Sequence, residues 1–353
     1  MKTQLELLRN LKPIDLARHL DELVKARAAI GELRGACYGL PNPQLLLSPT
    51  ILREALQSSE VENIVTTLED VLQAQLYSEQ ERSAADKEVL RYNAALDAGL
   101  DAMRESYLGS NTIKTVHGVL VPREPDYRKT QNTLRNAVTG EVVFRPISAV
   151  MVPVYLADLE KFINVQSGLD PVLKTVIVHY QFEAIHPFGD GNGRTGRILM
   201  VLCMIYYRLL DLPVLFISEY INNHKAEYYR AFQVAERDGD LDQFIEYMLK
   251  AIATQARKST RTLLEVRNLH EKAKRIIRER LPKIYSRDLV DAIFSQPLMT
   301  PTRYAELMEC TRQTATAHLK ALRDIGMMRV LEAGKYTFYA NVRLMKYLNG
   351  EKK

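Results

Sequence analysis

Apolar positions in this chain recur mostly at helical spacing. Ile14, Leu16, Ala17, Leu20, Leu23, Val24, Ala28 and Ile30 give an amphipathic helix over 13–33, which Pro41-Asn42-Pro43 breaks. The same period predicts helices over 48–56, 59–75, 83–106 and 152–164, the last entered through Pro153 near its first turn. Helices over 171–185, 193–210, 224–237 and 241–269 follow. Strands are scarce. One hairpin is predicted over 131–147, with Thr139-Gly140 turning between Asn136-Ala137-Val138 and the β-branched run Val142-Val143-Phe144. Past the basic run 272–278 the pattern shortens to helices over 285–294, 300–308 and 311–325. Thr300-Pro301 and Thr311 read as N-terminal caps and Gly326 as a stop. Strands over 328–332 and 336–340 then flank a turn at Ala333-Gly334-Lys335.

The expected fold class is therefore mainly α, with one small hairpin in a helical body and a separate C-terminal module. At 353 residues, two or three domains are expected. We place them at 1–105, a helical region; 106–256, the chemical core; and 257–353, a basic linker and module. With 46% hydrophobic and 26% charged residues the composition is that of a globular protein, which excludes disordered and collagenous classes. The longest apolar run, 198–207, is far short of a membrane span, so no membrane partner is expected. The N-terminus lacks a secretory pattern, and Cys37, Cys203 and Cys310 are scattered, which points to a reducing cytoplasm.

Splitting the net charge of +5 changes the picture. Residues 1–256 hold 27 Lys and Arg against 33 Asp and Glu, while residues 257–353 hold 21 against 10. The basic charge belongs to the C-terminal quarter, which suggests a polyanionic partner there. Three helices and a hairpin resemble a winged helix-turn-helix. On the helix from Thr311, Ala315, Leu319 and Leu322 share one face, and Arg312, Gln313, Thr316, Lys320 and Arg323 lie on the others, as a major-groove helix requires. DNA is the expected partner of 300–340.

The densest chemistry lies at His186-Pro187-Phe188-Gly189-Asp190-Gly191-Asn192-Gly193-Arg194-Thr195-Gly196-Arg197, between two predicted helices. Gly191-Asn192-Gly193 at a helix start forms an anion nest suited to phosphate. Arg194 and Arg197, three apart, add two charged forks on one side. Asp190 beside them can hold Mg, and His186 is the general base in reach.

This stretch resembles the signature H-x-F-x-D-G-N-G-R-x-x-R of the Fic family, whose helical core would cover most of 1–256. The resemblance implies transfer of AMP from ATP to a Ser, Thr or Tyr hydroxyl of a target protein. His186 would take the proton, Phe188 would anchor the loop, and Asp190 would hold Mg. Gly191, Asn192, Gly193, Arg194, Thr195, Gly196 and Arg197 would form the ATP-phosphate site. Tyr228 and Tyr229 resemble the adenine-side tyrosines. The hairpin 131–147 falls at the family's flap, which docks the target by strand addition, although Leu134-Arg135 and Pro146-Ile147 depart from the family pattern. Ser58, Glu62 and Asn63 match the inhibitory motif S/T-x-x-x-E-G/N, with Glu62 expected to pair bidentately with Arg197. Doc-type relatives that phosphorylate carry lysine where this chain has Gly193, which disfavours that reaction. Removal of AMP from proteins, an ATP-sensing DNA-binding regulator and a homodimer are the alternatives this resemblance leaves open.

Overall fold

In the computed structural model of the chain, residues 5–38, 43–135, 142–166, 168–333 and 336–348 are described. They form, in chain order, α1 (Leu16–Tyr38), α2 (Pro43–Val61), α3 (Leu68–Ala74), α4 (Ala84–Glu105) and α5 (Ser110–Leu120). The short strands β1 (Leu134–Arg135) and β2 (Val142–Phe144) precede α6 (Val152–Asn164), α7 (Pro171–Ile185) and α8 (Asn192–Tyr206). Next come α9 (Ser218–Asn223), α10 (Lys225–Asp238), α11 (Asp242–Arg280) and α12 (Arg287–Ser295). The chain ends in β3 (Leu298–Met299), α13 (Pro301–Leu307), α14 (Arg312–Asp324), β4 (Arg329–Ala333), β5 (Tyr336–Ala340) and α15 (Val342–Leu348).

Two compact units result. The first comprises 1–34, 57–64 and 91–257; the second comprises 35–56, 65–90 and 258–353. The N-terminal 105 residues contribute to both.

In the first unit α7 is the central helix: of its residues only Pro171 and Glu183 are not fully buried. A helix apolar on all sides must be surrounded. The Asp170 side chain caps it by accepting from the Val172 N–H, and Pro171 supplies the preset first turn. It stops at His186, whose φ of 50° is left-handed, ahead of Pro187. The core of this unit is aromatic as well as aliphatic, with Phe182, Phe188, Tyr228, Phe232 and Phe244 among its buried side chains.

In the second unit α12, α13 and α14 are each opened by a hydroxyl cap, Ser286, Thr300 and Thr311. Ala315, Leu319 and Leu322 of α14 face inward. The strands make an antiparallel sheet in the order β3-β5-β4, with Leu298 opposite Ala340 and Arg329 opposite the same residue on the other edge. Three helices are thus followed by the antiparallel β4–β5 hairpin and α15. In this unit the Tyr77 ring packs on Tyr336 and Phe338 of β5, at 5.0 and 6.0 Å between centroids.

Several elements differ from the sequence expectation. The helix expected over 59–75 is two helices, because Asn63 adopts φ 64° and Thr67 then caps α3 by accepting from the Asp70 N–H. The helix from 241 runs unbroken to Arg280. Helices α5, α9 and α15 and strand β3 lie outside the sequence expectation, although Ile113, Val116 and Leu120 of α5 recur at helical spacing. In the hairpin, Leu134 pairs with Phe144 and Arg135 with Val142. Asn136-Ala137-Val138, the Thr139-Gly140 turn, Pro41-Asn42 and the Gly334-Lys335 part of the second turn lie outside the described residues; Pro43 is the first residue of α2.

Candidate active site

The loop between α7 and α8 is built from within. Phe188 is fully buried and stacks on His117, with ring centroids 3.5 Å apart and planes 8° from parallel. The Asn192 side chain accepts from the Phe188 N–H and donates to the Phe188 carbonyl, both at 2.9 Å. Its amide therefore holds the loop rather than a ligand. Gly191 caps α8 with φ 68°, and its N–H donates to Asp190 Oδ1 at 2.6 Å. Only a residue without Cβ takes that conformation at no cost.

Arg128, not among the site residues expected from the sequence, ties the loop down from the other side. Its Nε donates to the His186 carbonyl at 2.8 Å, and its terminal nitrogens donate to the carbonyls of Thr130, Ile147 and Ile185. Its own N–H reaches the Pro187 carbonyl at 2.9 Å. A buried guanidinium satisfied by four carbonyls fixes loop and flap together. Asn132 adds bonds to the Phe188 and Gly189 carbonyls, each 3.2 Å.

His186 is half-buried, and Phe144 of β2 stands edge-on to its ring at 6.2 Å. Burial depresses its pKa to about 4; a hydrogen bond to the Glu183 backbone opposes the shift and the Arg128 charge adds to it. The imidazole is neutral at physiological pH.

The α8 N-terminus already holds an anion, the carboxylate of Glu62. Its Oε1 accepts from the Arg194 N–H at 2.8 Å and from the Arg197 terminal nitrogen at 3.0 Å. Its Oε2 accepts from Arg194 Nε at 2.8 Å. The expected bidentate pair with Arg197 alone is thus replaced by a bridge across both arginines and the helix end. Ser58 shares the guanidinium with Glu62: Arg197 Nε donates to Ser58 Oγ, and the terminal nitrogen that meets Glu62 also donates to the Ser58 carbonyl, each 2.8 Å. Asn63 contributes its left-handed backbone, a conformation open chiefly to Gly and Asn. Lys225 and Asn222 hold the end of α2 by its Val61 and Gln57 carbonyls, at 2.7 and 2.9 Å.

Glycine at 193 permits the approach: a Cβ there would lie 2.6 Å from Glu62 Oε1. Thr195 and Gly196, expected in the phosphate site, are buried in the first turns of α8. Thr195 is fully buried with its hydroxyl on the Gly191 carbonyl at 2.8 Å, and Gly196 lies against Glu183, whose Oε1 would sit 2.3 Å from a Cβ. The tyrosine pair also separates. Tyr228 is buried, its hydroxyl hydrogen-bonded to buried His179 Nε2 at 3.1 Å. Tyr229 is 40% exposed.

Glu183 was missed. Its Oε1 is buried without a hydrogen-bond partner, and burial raises the carboxyl pKa to about 7 against the opposing pull of Arg197. A glutamate on an apolar helix gives no sequence signal beyond its interruption of that helix.

No cluster of three metal-ligating side chains occurs among the described residues. Asp190, 70% exposed beside the α8 end, fits a Mg ion that takes one carboxylate and completes its shell with phosphate and water.

The sequence matches the Fic/DOC family N-terminal domain over 20–101, the Fic/DOC family over 107–204, and the protein adenylyltransferase SoFic-like C-terminal domain over 269–344. It is 38% identical over 111 residues to protein adenylyltransferase fic-1 of Caenorhabditis briggsae, a match covering 30% of this chain and 20% of that protein. A probable protein adenylyltransferase of Aquifex aeolicus is 33% identical over 105 residues, covering 30% of this chain and 31% of the relative. The chain thus spans under a third of the length of these relatives. A crystal structure of a Fic family protein from Desulfovibrio desulfuricans superposes with a TM-score of 0.58 at 22% identity, over 94% of this chain and 97% of the other. Fic-1 from Caenorhabditis elegans superposes with 0.55 at 22%, over 71% and 74%. With Fic matches over its first two hundred residues, an adenylyltransferase-type C-terminal match and a fold shared almost end to end with a Fic protein, the chain belongs to the Fic/DOC family.

Proposed function

We propose that the chain is a protein adenylyltransferase held at rest by Glu62. The observation that carries this reading is the seat of the Glu62 carboxylate on the Arg194 N–H and both arginine forks. These are the groups that would otherwise take phosphate oxygens.

When Glu62 leaves, the α8 N-terminus with Arg194 and Arg197 binds the β- and γ-phosphates of ATP and fixes the α-phosphorus near His186. The neutral imidazole takes the proton of the incoming hydroxyl, whose oxygen attacks the α-phosphorus while pyrophosphate departs. Positioning and charge neutralisation supply most of the acceleration. Asp190 would hold Mg, which supplies further neutralisation of the phosphate charge. The β1–β2 hairpin, joined to the loop through Arg128 and Phe144, docks the target protein.

The test is incubation of the protein, Glu62→Gly and the Glu62→Gly, His186→Ala double variant with Mg and α-labelled ATP in lysate. Label that appears with the first variant and vanishes with the second supports the reading; no label with Glu62→Gly, under conditions where it is folded, overturns it.

A second reading concerns the C-terminal module, which we infer to bind DNA. Arg312, Thr316 and Lys320 recur every fourth residue along α14, and among the described residues neither Arg312 nor Lys320 enters an ion pair. Mixed-sequence duplex at low salt, followed by fluorescence anisotropy, tests this.

A further inference from the structure

Beside α14 the second unit encloses a groove of about 1110 Å³. One wall carries Arg312, Thr316 and Lys320, with Arg303 nearby paired to Glu306 at 2.9 Å. Another is formed by Gln75 and Leu76, the residues directly after α3. Tyr77 follows at once and anchors β5 through tilted ring contacts with Tyr336 and Phe338. One short stretch therefore walls the groove and holds β5.

That stretch lies close along the chain to the inhibitory glutamate. Only Asn63 to Thr67 separate Glu62 from α3. Moreover, residues 57–64 pack with the catalytic unit, whereas the chain on both sides of them, 35–56 and 65–90, packs with the unit that carries α14. The inhibitory segment is thus carried at both ends by the unit that holds the groove.

We propose that duplex DNA bound in this groove withdraws Glu62 from the α8 N-terminus and so switches transfer on. The inference rests on the two readings above and adds the coupling between them. Charge complementarity selects the occupant, because residues 257–353 hold 21 basic against 10 acidic residues and the face of α14 toward the groove is cationic. A major groove is about 12 Å wide and takes a whole helix. Gln75 and Leu76 line the same groove as Arg312, Thr316 and Lys320, so a duplex seated on α14 meets that wall, and the coupling follows if DNA binds the arrangement with the wall displaced more tightly. A ligand shifts an equilibrium by its differential affinity for the two states, and this difference is what draws the segment carrying Glu62. Reciprocity follows: ATP, which also requires Glu62 to leave, tightens DNA binding by the same factor.

The experiment measures labelling by the full chain with Mg and α-labelled ATP, with and without mixed-sequence duplex DNA at low salt, while anisotropy records DNA binding in the same samples. We expect DNA to raise labelling about tenfold. The Arg312→Ala, Lys320→Ala double variant loses both binding and the rise, and added salt removes the two in parallel. Glu62→Gly labels fully without DNA and gains nothing from it. DNA that binds without changing the labelling rate overturns the coupling and leaves both readings standing. Absence of DNA binding removes the DNA reading and the coupling together. Absence of label with Glu62→Gly removes the transferase reading, and the coupling falls with it.

Discussion

Glu62 meets Arg194 twice, with Oε1 on its backbone N–H and Oε2 on its Nε, both at 2.8 Å. The residue we propose to restrain the site is therefore also part of its packing. Arg194 and Arg197 are buried to within a few per cent, and Glu62→Gly takes the Glu62 carboxylate from both, although Asp190 still lies 3.8 Å from Arg194. Breaking such a pair costs about 3 kcal/mol, or roughly 4 °C in Tm for a chain of this size. The variant is expected to be more active and less stable at once. Differential scanning fluorimetry should show the loss, and ATP at 100 times its Kd should restore about 2.7 kcal/mol. A variant as stable as the parent and unresponsive to ATP would show that the two arginines do not need an anion.

His186 sets the acid limb of activity. With its pKa lowered to about 4 it is an unprotonated base throughout the range above pH 5. The kcat of Glu62→Gly should show no inflection from His186 between pH 5.5 and 8, and His186→Ala should lower kcat about 10²–10⁴-fold. The same shift works on stability. Between pH 4 and 6.5 the unfolded chain binds the proton that the folded one refuses, so the His186 contribution is lost as pH falls through that window. An inflection near 6.5 that disappears with His186→Ala would contradict the buried, neutral imidazole.

How far the sequence foretold this site depended on whether a residue's role followed from its own segment. The bounds of α6 and α7 coincide with those read from periodicity and, for α6, from Pro153, since apolar spacing and a first-turn proline are local signals. His186, Phe188, Asp190, Arg194 and Arg197 come together at the α8 end as a loop-to-helix pattern requires. The break at 62–67 was invisible because apolar spacing continues across it, and only the left-handed Asn63 interrupts the helix. Thr195 and Gly196 belong to the same motif yet turn inward, a consequence of helical rotation once α8 starts at Asn192. Arg128 reads in sequence as a loop arginine. Its four carbonyl partners lie 2 to 58 residues away, and only the fold gathers them.

Tyr229 and Tyr228 differ in a way that kinetics can read. Tyr229 is 40% exposed, whereas Tyr228 is buried on His179. In the Glu62→Gly background, Tyr229→Ala should raise KM for ATP with kcat little changed. Tyr228→Phe should leave KM alone and cost about 1 kcal/mol of stability from the lost hydrogen bond. Equal KM effects at the two positions would place the nucleotide elsewhere.

Arg128 is expected to matter for kcat more than for nucleotide affinity. Its guanidinium bonds to the His186 carbonyl and to the flap at Thr130 and Ile147, and it touches none of the groups assigned to phosphate. Arg128→Lys keeps the charge but cannot reproduce a planar fork onto four carbonyls. Loss of that placement by about 1 Å is worth about 10²-fold. Single-turnover labelling with Glu62→Gly, Arg128→Lys should show a slowed step at saturating ATP with KM near that of Glu62→Gly; a rise in KM alone would assign Arg128 to substrate binding.

Glu183 should report its burial through the pH dependence of stability. Its carboxyl pKa is raised to about 7 by burial, against 4.5 for the free group, and Oε1 has no hydrogen-bond partner. Between pH 4.5 and 7 the folded state holds a proton that the unfolded state has released. The stability this gives is complete below 4.5 and is lost as pH rises through 7. Glu183→Gln keeps the shape and removes the titration. The variant should match the parent in denaturant midpoint near pH 5 and exceed it above pH 7.5, while parallel curves across that range would mean that the carboxyl ionises as easily folded as unfolded. The contrast with His186, three residues on, is physical: the same burial that keeps the imidazole neutral keeps the carboxyl neutral, so the two groups move stability in opposite directions over the same pH interval.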